Sequence, residues 1–152
     1  MSAAEHRIYF LLQIAAHRLR NEADRALLDA AGVTTAQAAV LQLVASLSEP
    51  TQRKLAEILQ QNESAMTAMV GRLTSAGLIV RAPHPTDGRA WILKLTPRGE
   101  AAIEAGRPAF DAVNAALDTA IGGKSAGFAR TLRAITDTLD TRRPDDSGTS
   151  GD

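Results

Sequence analysis

The 152-residue chain has no cysteine. That excludes disulfides, thiolate catalysis and thiol-based redox sensing. Aromatic residues make up 3% of the chain, too few for a protein that captures single strands by stacking bases on rings. No apolar run approaches the ~18 residues that cross a bilayer. The opening MSAAEHRIYFLLQIAAHRLR has neither a basic start ahead of its apolar part nor a small-residue cleavage site, so it does not read as a secretory leader. Together these absences lead to the expectation of a cytoplasmic protein. The histidines, His6, His17 and His84, are isolated and accompanied by no close-spaced carboxylate set, so no metal site and no cofactor are expected. There is no nucleophile–base pair and no phosphate-cradling glycine loop, and an enzyme is not expected. Neither sign of charge prevails, with 17 basic and 17 acidic residues.

Hydrophobic residues make up 45% of the chain, enough for a folded core. Ile8, Leu11, Leu12, Ala15 and Leu19 repeat at three and four residues, which predicts one apolar face of a helix from about Glu5 to Ala31, stopped by Gly32. Arg18/Glu22, Arg20/Asp24 and Arg25/Asp29 are i,i+4 pairs on its solvated side. Thr34 or Thr35 caps a second helix with Ala39, Val40, Leu43, Val44 and Leu47 inward. Thr51 caps a short helix to Leu59, with Leu55, Ile58 and Leu59 inward. Asn62 caps another from Glu63 to Ala76, with Met66, Met69, Val70 and Leu73 buried and Gly77 ending it.

Two β-type runs follow, Leu78 to Ala82 and Ala90 to Leu95, around a turn of Pro83, His84, Pro85, Thr86, Asp87 and Gly88 closed by Arg89. Trp91, Leu93 and Leu95 alternate on one predicted face. Thr96-Pro97 opens a long helix, a capping hydroxyl followed by a proline whose missing N–H costs nothing at that position. Pro108 is expected to kink or interrupt it, and Gly122-Gly123 to end it. Ser125 to about Thr141 reads as a last helix carrying Phe128, Leu132, Ile135 and Leu139, followed by a polar, disordered tail.

Helix, tight turn, helix and basic-tipped hairpin form a winged helix-turn-helix, which lays one helix in the major groove and the hairpin tip over the backbone or minor groove. The fold class is therefore mainly α with a small β-hairpin wing, and double-stranded DNA is the expected partner. Between Thr51 and Glu100 seven basic residues stand against four acidic ones, so the basic charge collects where this reading needs it. Arg89 is expected to reach the minor groove, its guanidinium held by Asp87. Asn62, Glu63, Ser64 and Thr67 open the helix whose start meets base edges, with Arg72 further along it. Thr51, Arg53 and Lys54 suit phosphate positioning at the start of the preceding helix. Asn62 also suits plain capping, and the two cations a merely solvated face.

From about Gly32 to Glu104 the chain resembles the MarR family, the multiple-antibiotic-resistance regulators. The resemblance rests on Leu55-Ala56, Asn62 to Thr67, Arg72-Leu73, Gly77-Leu78-Ile79, Arg81, Pro83, the wing Asp87-Gly88-Arg89-Ala90, and Leu95-Thr96 with Gly99. Glu63 and Ala68 stand where that family often has basic or amide residues, and His84 where an acidic residue is common. The resemblance implies an obligate homodimer held by its N- and C-terminal helices, usually a repressor released by a small ligand. Residues 1–31 and 101–141 would then dimerise, 32–100 bind a pseudo-palindromic operator, and 142–152 form the tail.

Tyr9, Phe10, His17 and Trp91 are the residues expected to line a pocket for a small aromatic or anionic ligand, although such side chains are more often core. Two rival readings remain: a winged helix used to bind proteins, and a regulator that takes no ligand.

Overall fold

A computed structural model describes residues 3–140; the expected disordered tail lies outside them. The elements are α1 (Ala3–Ala31), α2 (Thr35–Ser46), α3 (Gln52–Ile58), α4 (Glu63–Ser75), β1 (Ile79–Pro83), β2 (Trp91–Leu95), α5 (Pro97–Ala120) and α6 (Ser125–Asp140). The chain divides into two compact units, Met1–Val113 and Asn114–Asp152.

In the first unit, α1 ends at Gly32, whose φ of +67° suits a residue without a side chain. Its buried positions are Ala23 and Leu27. The predicted apolar face, by contrast, leaves Ile8, Leu11, Ala15 and Leu19 exposed in the single chain. The expected ion pairs also rearrange. Arg25 meets Glu22 at 3.1 Å rather than Asp29. Asp24 bonds to Thr35, accepting from its amide at 2.7 Å and from its hydroxyl at 2.6 Å, while the charge of Arg20 still acts on it. Thr34 is the cap of α2, in a reciprocal box: its hydroxyl accepts from the Gln37 amide while the Gln37 side chain accepts from the Thr34 amide.

The Thr35 hydroxyl, then the Thr35 amide, hold the Asp24 carboxyl below its ordinary value. The folded state thus favours the ionised form. The stability gained is full above the unfolded value, about pH 4, and is lost as pH falls through the lower folded value. Asp24→Asn is expected to abolish this acid-side dependence while keeping an acceptor. Asp24→Ala should cost about 1 kcal/mol at neutral pH. Thermal melts of the three proteins across the acid range check both.

The core brings Leu27 and Val33 together with Val40, Leu41 and Val44 of α2, Leu55 of α3, Met66, Val70 and Leu73 of α4, and Ile79 and Leu93 of the hairpin. The predicted inner face of α2 is rotated slightly: Ala38 and Leu41 are buried, whereas Leu43 and Leu47 only lean on the core. In α3, Leu55 and Ala56 are buried and Ile58 is exposed, because seven residues make two turns and give a single inward ridge. The four apolar residues predicted inside α4 are all buried.

β1 and β2 pair antiparallel from Ile79↔Leu95 to Pro83↔Trp91. The far edge of β2 carries a further bridge, Thr51↔Ile92, and the Leu93 amide donates to the Pro50 carbonyl at 2.9 Å. β2 is thus flanked on both edges and packs on α2 and α3. Ile92 and Leu93, on opposite faces, are both buried, whereas Trp91 is exposed. The strict alternation predicted through Trp91, Leu93 and Leu95 fails for that reason.

Thr96 caps α5. Its hydroxyl accepts from the Gly99 amide at 3.1 Å and donates to the Gly77 carbonyl at 2.6 Å. Gly99 lies so close to the Leu78 carbonyl that an added Cβ would overlap backbone oxygen. Gly99→Ala is expected to destabilise the fold by about 1–3 kcal/mol, read as a lowered denaturant midpoint at unchanged slope. Pro108 does not interrupt α5, which stays helical on both sides of it.

In the second unit, Gly122 and Gly123, both at positive φ, end α5, and Ser125 bonds to Asp118 beside the start of α6. Phe128, Leu132, Ile135 and Leu139 of α6 are all exposed in the single chain.

Candidate nucleic-acid interface

The prospective recognition helix is α4. Its buried ridge of Met66, Met69, Val70 and Leu73 leaves Glu63, Ser64, Thr67, Ala68, Gly71 and Arg72 on the outer face. Thirteen residues give a rod about 20 Å long, and its small outer side chains let it enter a groove about 12 Å wide. Asn62 is spent on capping, its Oδ1 accepting from the Ala65 amide at 2.7 Å. Glu63 sits in the first turn, where the helix dipole favours a carboxylate. Thr67 donates to the Glu63 carbonyl at 2.8 Å and accepts from Gln52 Nε2 at 2.6 Å. Arg72 leans back on Met69, its guanidinium 3.9 Å from the sulfur.

Arg53 and Lys54 are exposed on the first turn of α3, and Thr51 caps that turn by accepting from the Lys54 amide at 3.2 Å. The Thr51 hydroxyl is therefore already engaged. Gln52 ties the surface together, since its other atom, Oε1, accepts from Arg81 of β1 at 3.3 Å. One side chain thus links α3, α4 and the root of the wing. Neither Gln52 nor Arg81 was among the sequence-predicted contacts. Their partners lie 15 and 29 residues away, beyond the reach of any local pattern.

At the wing, Asp87 and Arg89 are both exposed. Asp87 does not hold the Arg89 guanidinium as expected: Oδ1 accepts from the Arg89 backbone amide at 3.0 Å. An Asp side chain bonding two residues on closes a turn by itself, and that geometry uses up the oxygen. Arg89 makes no ion pair among the described residues. His84 is the organiser that the sequence reading passed over. Its ring Nδ1 accepts from the amides of Asp87 at 3.1 Å and Thr86 at 3.3 Å.

Of the residues expected to hold a ligand, three lie on α1 and one on β2. Tyr9 and Phe10 pack edge to face, ring centres 5.4 Å apart, and both are exposed. His17 bonds to Asn21 at 3.1 Å, one turn along α1. Trp91 is 57% exposed on β2. None of them lines the large cleft of the first unit, an open space of about 730 Å³ among α2, β2 and α5. Leu47, Pro50, Leu93 and Ile103 form its apolar part, and Lys94 and Arg107 are its cations. No group of three or more metal-ligating side chains occurs among the described residues. Among them, too, no single helix is long and apolar enough to cross a membrane.

The exposed groove-sized helix, capped helix start and hairpin define a winged helix-turn-helix. A family profile described as MarR family matches residues 31–90. The multiple antibiotic resistance protein MarR of Escherichia coli is 33% identical over 91 residues, 58% of this chain and 63% of that protein. A transcriptional regulatory protein for the hcr operon of Thauera aromatica is 35% identical over 91 residues, 60% of this chain and 53% of that protein. The chain thus spans between half and two-thirds of the length of these curated relatives. Among solved structures, a mutant MarR from E. coli complexed with operator DNA superposes with a TM-score of 0.69 at 25% identity, covering 89% of this chain and 99% of that one. Over residues 31–90 the chain is thus similar to the MarR family, and it shares the winged helix-turn-helix fold of the MarR structure it superposes on.

Proposed function

We propose that this protein is a homodimeric transcriptional regulator, a repressor that binds double-stranded DNA and is released by a small ligand. The observation that carries the reading is the shared surface of α3, α4 and wing. Arg53, Lys54 and Arg89 are exposed with Ser64, on elements joined by the Gln52 bonds to Thr67 and Arg81. Cations on helix starts and a wing tip position phosphates, while the outer face of α4 meets base edges. Asn62 and Thr51 act as caps that hold this surface, and Glu63, Thr67 and Arg72 flank the readout. Asp87 shapes the turn that presents Arg89.

Dimerisation answers the exposed apolar residues of α1 and α6, which a second copy covers. Tyr9 and Phe10 belong to that covered surface. Two copies read two half-sites, about one DNA turn (~34 Å) apart. The ligand reading rests on the cleft among α2, β2 and α5, whose volume suits a small molecule of the range ~300–1,000 Å³. Arg107, paired with Glu104 at 2.5 Å, offers a cation that an anionic ligand competes for.

Selection of duplexes from a random pool, followed by titration of the recovered sequence at increasing salt, tests the proposal. A pseudo-palindromic product is expected, bound with affinity that falls steeply with salt. Aromatic carboxylates at millimolar levels are expected to release it. Failure to enrich any duplex at low salt overturns the DNA reading in favour of a protein-binding module. Release by none of the carboxylates removes the ligand.

A further inference from the structure

The wing turn is built on one imidazole. His84 follows β1, and its side chain is only 11% exposed. Nδ1 faces two backbone donors, the Asp87 amide at 3.1 Å and the Thr86 amide at 3.3 Å, with the Thr86 hydroxyl at 3.4 Å. Nε2 lies 3.5 Å from a carboxylate oxygen of Glu49, which precedes α3. The His84 amide donates to the Ala90 carbonyl at 3.0 Å, and the Ala90 amide donates to the Asp87 carbonyl at 3.1 Å. Asp87 in turn receives the Arg89 amide. The ring therefore stands at the head of a chain of bonds that ends at the exposed Arg89.

A nitrogen that accepts two N–H groups carries no proton. We infer that His84 is the positioning residue of the wing, its ring accepting at Nδ1 with a proton on Nε2, and that removing this acceptor loosens the turn and weakens DNA binding. This rests on the DNA-binding reading above. Without that acceptor, the amides of Thr86 and Asp87 would both be left unpaired at the turn.

Two measurements test this. In protein labelled with ¹⁵N-histidine, the ring of His84 is expected to show a protonated Nε2 and an unprotonated, hydrogen-bonded Nδ1 at neutral pH. The opposite tautomer, or a charged ring there, overturns the inference whether or not the protein binds DNA. For the selected duplex, His84→Asn, whose side-chain oxygen can replace the accepting nitrogen, is expected to keep wild-type affinity, whereas His84→Ala is expected to lose about tenfold. Full affinity in His84→Ala overturns the role, as does an equal loss in His84→Asn. Should no duplex bind, the DNA reading falls, and the ring measurement still decides what His84 does to the turn.

Discussion

Arg89→Ala is expected to weaken binding to the selected duplex by about 1–3 kcal/mol per half-site, roughly five- to 160-fold for each. A dimer would carry two wings, so the losses would multiply. The guanidinium extends from a turn whose backbone is already held by Asp87 and His84, and its removal takes away a contact without disturbing the turn. Thermal stability should therefore stay within about 0.5 kcal/mol of wild type, as for other surface changes. The salt dependence of binding should become shallower, since fewer counterions are displaced. Fluorescence anisotropy at several salt concentrations measures both effects. Undiminished affinity in an intact dimer would show that the wing does not touch DNA.

Leu132→Asp combined with Ile135→Asp is expected to convert dimers into monomers. The argument starts from α6, which has one apolar stripe of Phe128, Leu132, Ile135 and Leu139 and no buried residue in the single chain. Covering such side chains contributes roughly 1.5–3 kcal/mol each. Carboxylates placed there would have to give up hydration without a partner. Sedimentation or light scattering at micromolar concentration reads the result. Affinity for a two-half-site duplex should collapse with it, because one lobe alone makes half the contacts. A wild-type protein that is a native-like monomer at that concentration would defeat the claim.

The parts of the fold written in short-range chemistry were legible in the sequence. Thr34, Thr51, Asn62 and Thr96 are all caps, and Gly32, Gly77 and Gly122 all take the positive φ expected of helix ends. A cap or a left-handed residue acts within about four residues of itself, so the local pattern suffices. The four buried residues of α4 were readable for the same reason, because one ridge faces one core. The failures lie where two neighbours compete for a residue. Ile92 is buried against the alternation because β2 has company on both edges. Asp24 bonds to a threonine eleven residues away, with Arg20 left as a lesser influence on its charge.

The candidate site divides along the same line. Arg53, Lys54, Ser64 and Arg89 stand exposed where the motif put them. Gln52 and Arg81 acquire their place only through bonds that cross between elements. His84 was visible as an odd residue between two prolines. What it does depends on the ring turning back onto Thr86 and Asp87, which no spacing reveals.

The grip of α5 on the end of α4 has a mechanical consequence. Gly77, Leu78, Thr96 and Gly99 form a joint with no slack: a hydroxyl is bonded on both sides, and a glycine is pressed against a carbonyl. A joint of that kind transmits rotation without absorbing it. Any tilt of the first turns of α5, which line the cleft with Glu100, Ile103, Glu104 and Arg107, must carry the carboxyl end of α4 and the base of the hairpin along with it. On the function proposed above, the cleft and the outer face of α4 would be two ends of one crank, and a molecule filling the first would need to move it only slightly to misalign the second.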